Sequence, residues 1–332
     1  MTTNSASAGH VLVTGGCGYI GSALIPQLLQ NDSVSHVTVF DSFASSSPQN
    51  LFATGLGSTD KLSFIRGDIQ QYGDVENAVH DAETIIHLAA ITGAASTHDR
   101  REETFAINYD GTENVLRAAG KFGVKNVVFA SSCNVYGRAA ETEITEHTDP
   151  DPLNPYAESK LKAESLLRDA VDTYNFDGTA LRMSTNYGYA PGVRFNLVVN
   201  HFVFRALTDR PLTVYGDGSN WRPFIHVHDA ARAYAHAACN PQQWSQFCYN
   251  VGASTQNFQI ETIAQAVREE LDQTLEITYL RDEHPGPSYH VNFDRLGETK
   301  YQPKYTLREG ITELATQFTE MESRTITAEQ RL

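Results

Sequence analysis

The chain has 332 residues, 41% of them hydrophobic and 10% aromatic, with 23 glycines and 12 prolines. That composition is globular and excludes a disordered, collagen-like or low-complexity chain, and the length suits two domains or one large α/β unit. With 40 Asp and Glu against 25 Lys and Arg, the formal charge is −15; such a field repels nucleic acid and anionic lipid, so an anionic ligand must be gripped by a few local donors.

The first predicted strand, Val11 to Val13, runs into Thr14-Gly15-Gly16-Cys17-Gly18-Tyr19-Ile20-Gly21, which opens a helix over 19–30. Gly15, Gly18 and Gly21 have separate uses in a dinucleotide loop: a tight turn, close approach of the backbone to a pyrophosphate, and close helix–strand packing. The helix N-terminus adds free N–H groups and a positive dipole end. A second strand over 37–40 ends at Asp41, 20 residues beyond Gly21. A carboxylate there accepts ribose hydroxyls and repels a 2′-phosphate, so NAD is expected rather than NADP.

Further strands are predicted over 62–65, 84–88, 127–130 and 179–184, with helices over 73–81, 103–122 and 155–174. Strands alternating with helices imply an α/β fold, a doubly wound parallel Rossmann sheet covered on both faces. The strand over 127–130 leads into Ser131-Ser132, and the helix from 155 opens with Tyr156 and carries Lys160 four residues on. Positions four apart share a helix face, where an ammonium would lower the tyrosine pKa toward working pH. Such a tyrosine can move a proton on or off an alcohol oxygen while a hydride moves at its carbon. Ser132, at the carboxyl end of its strand, would bond the same oxygen.

After about residue 185 the alternation breaks into loops such as Tyr215-Gly216-Asp217-Gly218. The expected division is a nucleotide-binding domain over 1–180 and a smaller α/β substrate-binding region over 181–332. Segments near 223–228 and 247–251 are candidates to return to the main sheet. His226-Val227-His228-Asp229 lacks a third ligand at metal-site spacing, so no metal is expected.

Residues 1–10 show no basic segment leading into an apolar stretch, and no apolar run reaches roughly 18 residues, so neither a secretory leader nor a membrane span is expected. Cys17, Cys133, Cys239 and Cys248 are scattered without a Cys-x-x-Cys pair. That usage suggests no disulfide framework and suits a reduced cytoplasm.

These motifs, with RGDI at 66–69, HLAA at 87–90, INYDGTENVL at 107–116, SSCNVYG at 131–137, YAESK at 156–160 and VYGDGSNWRPFIHVHD at 214–229, resemble the extended short-chain dehydrogenase/reductases of the NAD-dependent nucleotide-sugar epimerase/dehydratase family. The resemblance spans nearly the whole chain. It implies that Tyr156 is the acid/base, that Lys160 binds the ribose, and that Ser132 polarises the substrate oxygen. By the same resemblance Tyr19 and Ile20 join the glycines on the pyrophosphate. Asp68 and Ile69 flank the adenine, Leu88, Ala89 and Ala90 the nicotinamide-side ribose, and Asn108 supports the site. Arg222 would hold the substrate diphosphate, helped by Arg194 and His284, while Asn186 and Asn196 stand on the substrate side.

Family dehydratases and decarboxylases carry a glutamate where this chain has Asn134, and an amide cannot take up a proton as that carboxylate does. The expected reaction is therefore epimerisation at C4 of a nucleotide sugar through a keto intermediate. A sugar-nucleotide dehydrogenase or 4-keto reductase, and a non-catalytic NAD-sensing protein, are the alternatives. Cys133 reads as a packed thiol. The resemblance also implies a homodimer in which the helices over 103–122 and 155–174 form a four-helix bundle.

Overall fold

A computed structural model describes residues 8–55, 59–138, 143–272, 274–281 and 287–329. The first half alternates β1 (Gly9–Thr14), α1 (Tyr19–Leu29), β2 (Val34–Asp41), β3 (Leu62–Arg66), α2 (Tyr72–Val79) and β4 (Thr84–His87). It continues through α3 (Arg101–Phe105), α4 (Gly111–Phe122), β5 (Asn126–Ser132), α5 (Pro155–Tyr174) and β6 (Asp177–Met183). The long helix expected over 103–122 is split: a π-helical turn, Ala106–Asp110, joins α3 to α4. Such turns widen the helix locally and recur at functional sites.

The second half holds β7 (Thr185–Tyr187), α6 (Val198–Leu207), β8 (Leu212–Tyr215), β9 (Trp221–His226), α7 (Val227–Cys239) and β10 (Cys248–Val251). It closes with β11 (Asn257–Gln259), α8 (Ile260–Leu271), β12 (Ile277–Leu280) and α9 (Leu307–Glu329).

Seven parallel strands form the main sheet in the order β10-β6-β5-β4-β1-β2-β3. Leu12, Val13, Ile85, Ile86 and Val128 have no exposed surface, as expected of strands covered on both faces. One face packs under α1 and α7, the other under α2, α4 and α5. Chain order reverses between β1 and β4, the position where such sheets open a crevice beyond their carboxyl ends. Thr14 sits opposite His87 there.

Of the two segments considered for the main sheet, residues 248–251 pair with β6 at its edge. The segment near 223–228 does not: β9 lies between β7 and β11 in a three-stranded sheet. It stops at His226 because that side chain accepts the His228 amide and caps α7. The Ala-rich run that follows has strong helix propensity, and it is α7, not a strand, that returns to cover the sheet. The smaller lobe has its own core of Tyr187, Phe202, Phe224, Ile263 and Leu314.

Candidate active site

No side chain caps α1 at Gly18, so the amides of Tyr19, Ile20 and Gly21 are first-turn donors outside the helix's own bonding. The loop before it is built for glycine. Gly15 has φ +68°, and a Cβ there would lie 2.7 Å from the Ala89 nitrogen; at Gly21 one would lie 2.2 Å from the Gly16 oxygen. Asp41 is buried at the end of β2. Its carboxylate accepts the Cys17 amide at 3.0 Å, the Phe43 amide at 2.9 Å and the Ser46 hydroxyl at 2.7 Å. A carboxylate has about four acceptor positions, so one remains for a ribose hydroxyl.

Asp68 and Ile69 follow β3, with Ile69 buried against Gly111 and its carbonyl accepting from Asn114. Leu88, Ala89 and Ala90 leave β4 along β1, the Leu88 amide bonding the Thr14 carbonyl and the Ala89 amide the Thr14 hydroxyl. Asn108, in the π turn, holds both backbone groups of Ile91 at 2.8 and 2.9 Å and donates to Ser159 at 3.0 Å.

Helix α5 starts abruptly because Asn154 accepts the Ala157 amide at 3.0 Å and Pro155 takes the first turn, a strong start signal. This places Tyr156 and Lys160 one turn apart on the inward face, 9% and 2% exposed. Ser132 closes β5, and its hydroxyl accepts the Asn134 amide at 3.2 Å. Burial raises the Tyr156 pKa above the ordinary phenol value, while the Ser132 hydroxyl and then the Arg194 guanidinium act in the opposite direction.

Lys160 is buried on the same face of α5 as Tyr156. The ammonium lies 4.9 Å from the centre of the Phe129 ring and interacts with Glu164. Burial pushes it down to about 7 against the Glu164 charge. Among the described residues no hydrogen bond reaches Lys160 Nζ, which leaves three donor positions for a ligand.

Arg194 acts at this end of the site. It bonds Thr92 and, at 3.3 Å, Asn196, and its charge acts on Tyr156 and Tyr19. Arg222 lies over the Tyr289 ring at 5.3 Å and donates to the Trp221 carbonyl. Tyr289 is a residue the motifs did not single out: it is buried under the Arg222 guanidinium, and Cys133, Arg222 and Tyr156 act on its phenol. Asn134 is half-buried, Asn196 is exposed, and the Asn186 side-chain oxygen is buried with no hydrogen-bond partner among the described residues. His284 lies outside the described residues. Burial pushes the Cys133 thiol up to about 12, and its sulfur donates to the Arg182 carbonyl, as a packed thiol would. His226 and His228 converge on Glu313 at 2.7 and 3.8 Å. Among the described residues no group of three or more His, Cys, Asp or Glu could hold a metal ion.

The profile of the NAD dependent epimerase/dehydratase family matches residues 11–252. The chain belongs to that family. Low-salt glycan biosynthesis protein Agl12 of Haloferax volcanii is 29% identical, over 91% of this chain and 96% of its own. A dTDP-glucose 4,6-dehydratase of an Actinoplanes species is also 29% identical, over 91% and 95%. The crystal structure of a Thermus thermophilus UDP-glucose 4-epimerase in complex with NAD superposes with a TM-score of 0.79, at 27% identity and over 93% and 99% of the two chains. The family cofactor is NAD, and the glycine loop, Asp41 and the unbonded Lys160 ammonium fit it.

Proposed function

We propose that the chain is a nucleotide-sugar epimerase acting at C4 through a keto intermediate, with Tyr156, Ser132 and Lys160 as its catalytic set. The observation that carries this is the burial of Ser132 and Tyr156 together at the carboxyl end of β5, with the Ser132 hydroxyl acting on the phenol. When bound, NAD would supply the hydride chemistry at C4. Tyr156 takes the proton of the C4 hydroxyl and returns it once the sugar has presented its other face. Ser132 donates to that oxygen, and Arg194 favours the phenolate.

In this reading the amides of Tyr19, Ile20 and Gly21, with Gly15 and Gly18 allowing close approach, hold the pyrophosphate. Asp41 and Lys160 hold ribose hydroxyls, Asp68 and Ile69 bracket the adenine, and Leu88, Ala89, Ala90 and Asn108 shape the inner ribose. Arg222 takes the substrate diphosphate, and Asn134, Asn186 and Asn196 contact the substrate. The −15 charge is no obstacle, because each dianion meets local donors. Kinship with a UDP-glucose 4-epimerase supports the reaction class. The amide of Asn134 speaks against dehydration, which needs a titratable group there.

A homodimer working in the cytoplasm completes the proposal. Phe105, Tyr109 and Leu166 line an open groove of about 390 Å³ between the α3–π segment and α5, the face a four-helix bundle would cover. Light scattering at twice the 36.7 kDa chain mass is expected; a monomer would remove the dimer. The reaction is tested with a panel of sugar nucleotides. The expected result is an isomerised sugar without net NADH. Stoichiometric NADH would assign a dehydrogenase instead, and no turnover with any of them would remove the catalytic reading.

A further inference from the structure

We propose that His87 is a positioning residue that ties the cofactor end of the sheet to the helix bearing Tyr156 through a hydrogen-bond chain of fixed direction. His87 closes β4 and is 1% exposed. Its Nδ1 lies 2.6 Å from the Thr14 hydroxyl oxygen and its Nε2 2.9 Å from that of Thr112. The Thr112 hydroxyl has one proton, and it goes to the Asn108 carbonyl at 2.7 Å. Thr112 can therefore only accept from His87, which places the ring proton on Nε2. Nδ1 is then an acceptor for the Thr14 hydroxyl proton, and the Thr14 oxygen in turn accepts the Ala89 amide at 3.3 Å. Burial, and after it the charge of Lys160, pushes the imidazole down to about 3, so the neutral ring and the direction persist across working pH.

Each end of the chain lands on the site. Thr14 precedes Gly15, whose added Cβ would strike Ala89. Asn108 grips Ile91 and donates to Ser159, which donates to the Tyr156 carbonyl at 2.8 Å. The glycine loop, the loop after β4 and the first turn of α5 are thus held in one register through the His87 ring. This inference rests on the reading of Tyr156 as the group that moves the substrate proton, because the register matters only if Tyr156 must meet a carbon held by the cofactor side.

The test uses Thr14→Val and Thr112→Val, which keep shape and remove one hydroxyl each, and their combination. Each single variant should lose about tenfold in kcat with the sugar-nucleotide KM within about twofold, as misplacement of a reacting pair does. NAD affinity of the apoprotein, measured by calorimetry, should weaken about threefold or more, and the double variant should be no worse than the poorer single, since both cut one chain. Nitrogen NMR of histidine-labelled wild type should show the Nε2–H tautomer of His87 unchanged from about pH 5 to pH 9. Unchanged kcat and NAD affinity in both singles, fully additive losses, or an Nδ1–H or titrating ring would each overturn the proposal. If the wild type turns over no sugar nucleotide while the tautomer and NAD-affinity results hold, the epimerase reading falls and the His87 chain stands.

Discussion

Tyr156→Phe is expected to lower kcat about 10³-fold, the scale of a positioned proton-transfer group, while NAD binding and folding persist. The phenyl ring stays in the same buried position beside Ser132, and only the atom that exchanges a proton is lost. The thermal midpoint should move by no more than about 3 °C, since at most one hydrogen bond is removed. Wild-type kcat in this variant would remove Tyr156 from the chemistry. Arg194→Gln provides a companion with a different signature. Burial already holds the Tyr156 pKa above its ordinary value, and the Arg194 charge works against that rise. Without the guanidinium the phenol pKa rises further, so the pH at which activity is half-developed on the acid side should move upward. A pH–rate profile measured from about pH 6 to about pH 11 checks this, and an unmoved limb would refute the electrostatic role.

What could be read from the sequence is what is local in the chain. The glycine loop, Asp41 at the end of its strand, and Tyr156 with Lys160 after an Asn-Pro start each depend on a few neighbouring residues, and each lies where its spacing implied. What spacing leaves open is where the far ends of long side chains lie. Spacing of four puts Lys160 on the Tyr156 face, but it does not decide where four methylenes deliver the charge; the ammonium lies over the Phe129 ring and interacts with Glu164. Arg194 bonds Thr92, 102 residues away, a contact that no local pattern indicates. Tyr289 carries no motif signal, and Thr112, though inside INYDGTENVL, shows no role there, because their importance comes from partners across the fold. The π turn at 106–110 was equally hidden: INYDG has ordinary helical spacing, and the widening serves Asn108, whose bonds reach to Ile91 and Ser159.

Glu164→Ala should produce the largest loss of stability. Glu164 and Arg182 form an ion pair that is 5% and 7% exposed, with guanidinium contacts of 3.0 and 2.7 Å, and Ser131 adds a hydroxyl to the same carboxylate at 2.5 Å. Burial alone would lower the Arg182 pKa; the Glu164 hydrogen bond and charge more than reverse that and keep the group charged. Removing the carboxylate leaves a buried cation with only the Tyr136 hydroxyl, at 2.9 Å, as a side-chain partner in hydrogen-bond reach among the described residues. Breaking such a pair from one side costs about 3–5 kcal/mol, which for a chain of this length corresponds to a fall of about 4–7 °C in thermal midpoint. Replacing both partners, Glu164→Leu with Arg182→Met, should recover most of that loss, because the penalty lies in the stranded charge rather than in the missing attraction. A double variant as unstable as Glu164→Ala would show that the pair's packing, not its charge, holds β5 against β6. The single variant also reaches the site. Ser131 precedes Ser132 on β5, and loss of the Glu164 charge lowers the Lys160 pKa further below about 7. The ammonium that would hold the ribose is then neutral at working pH, so NAD should bind Glu164→Ala more weakly even at temperatures where the variant is fully folded.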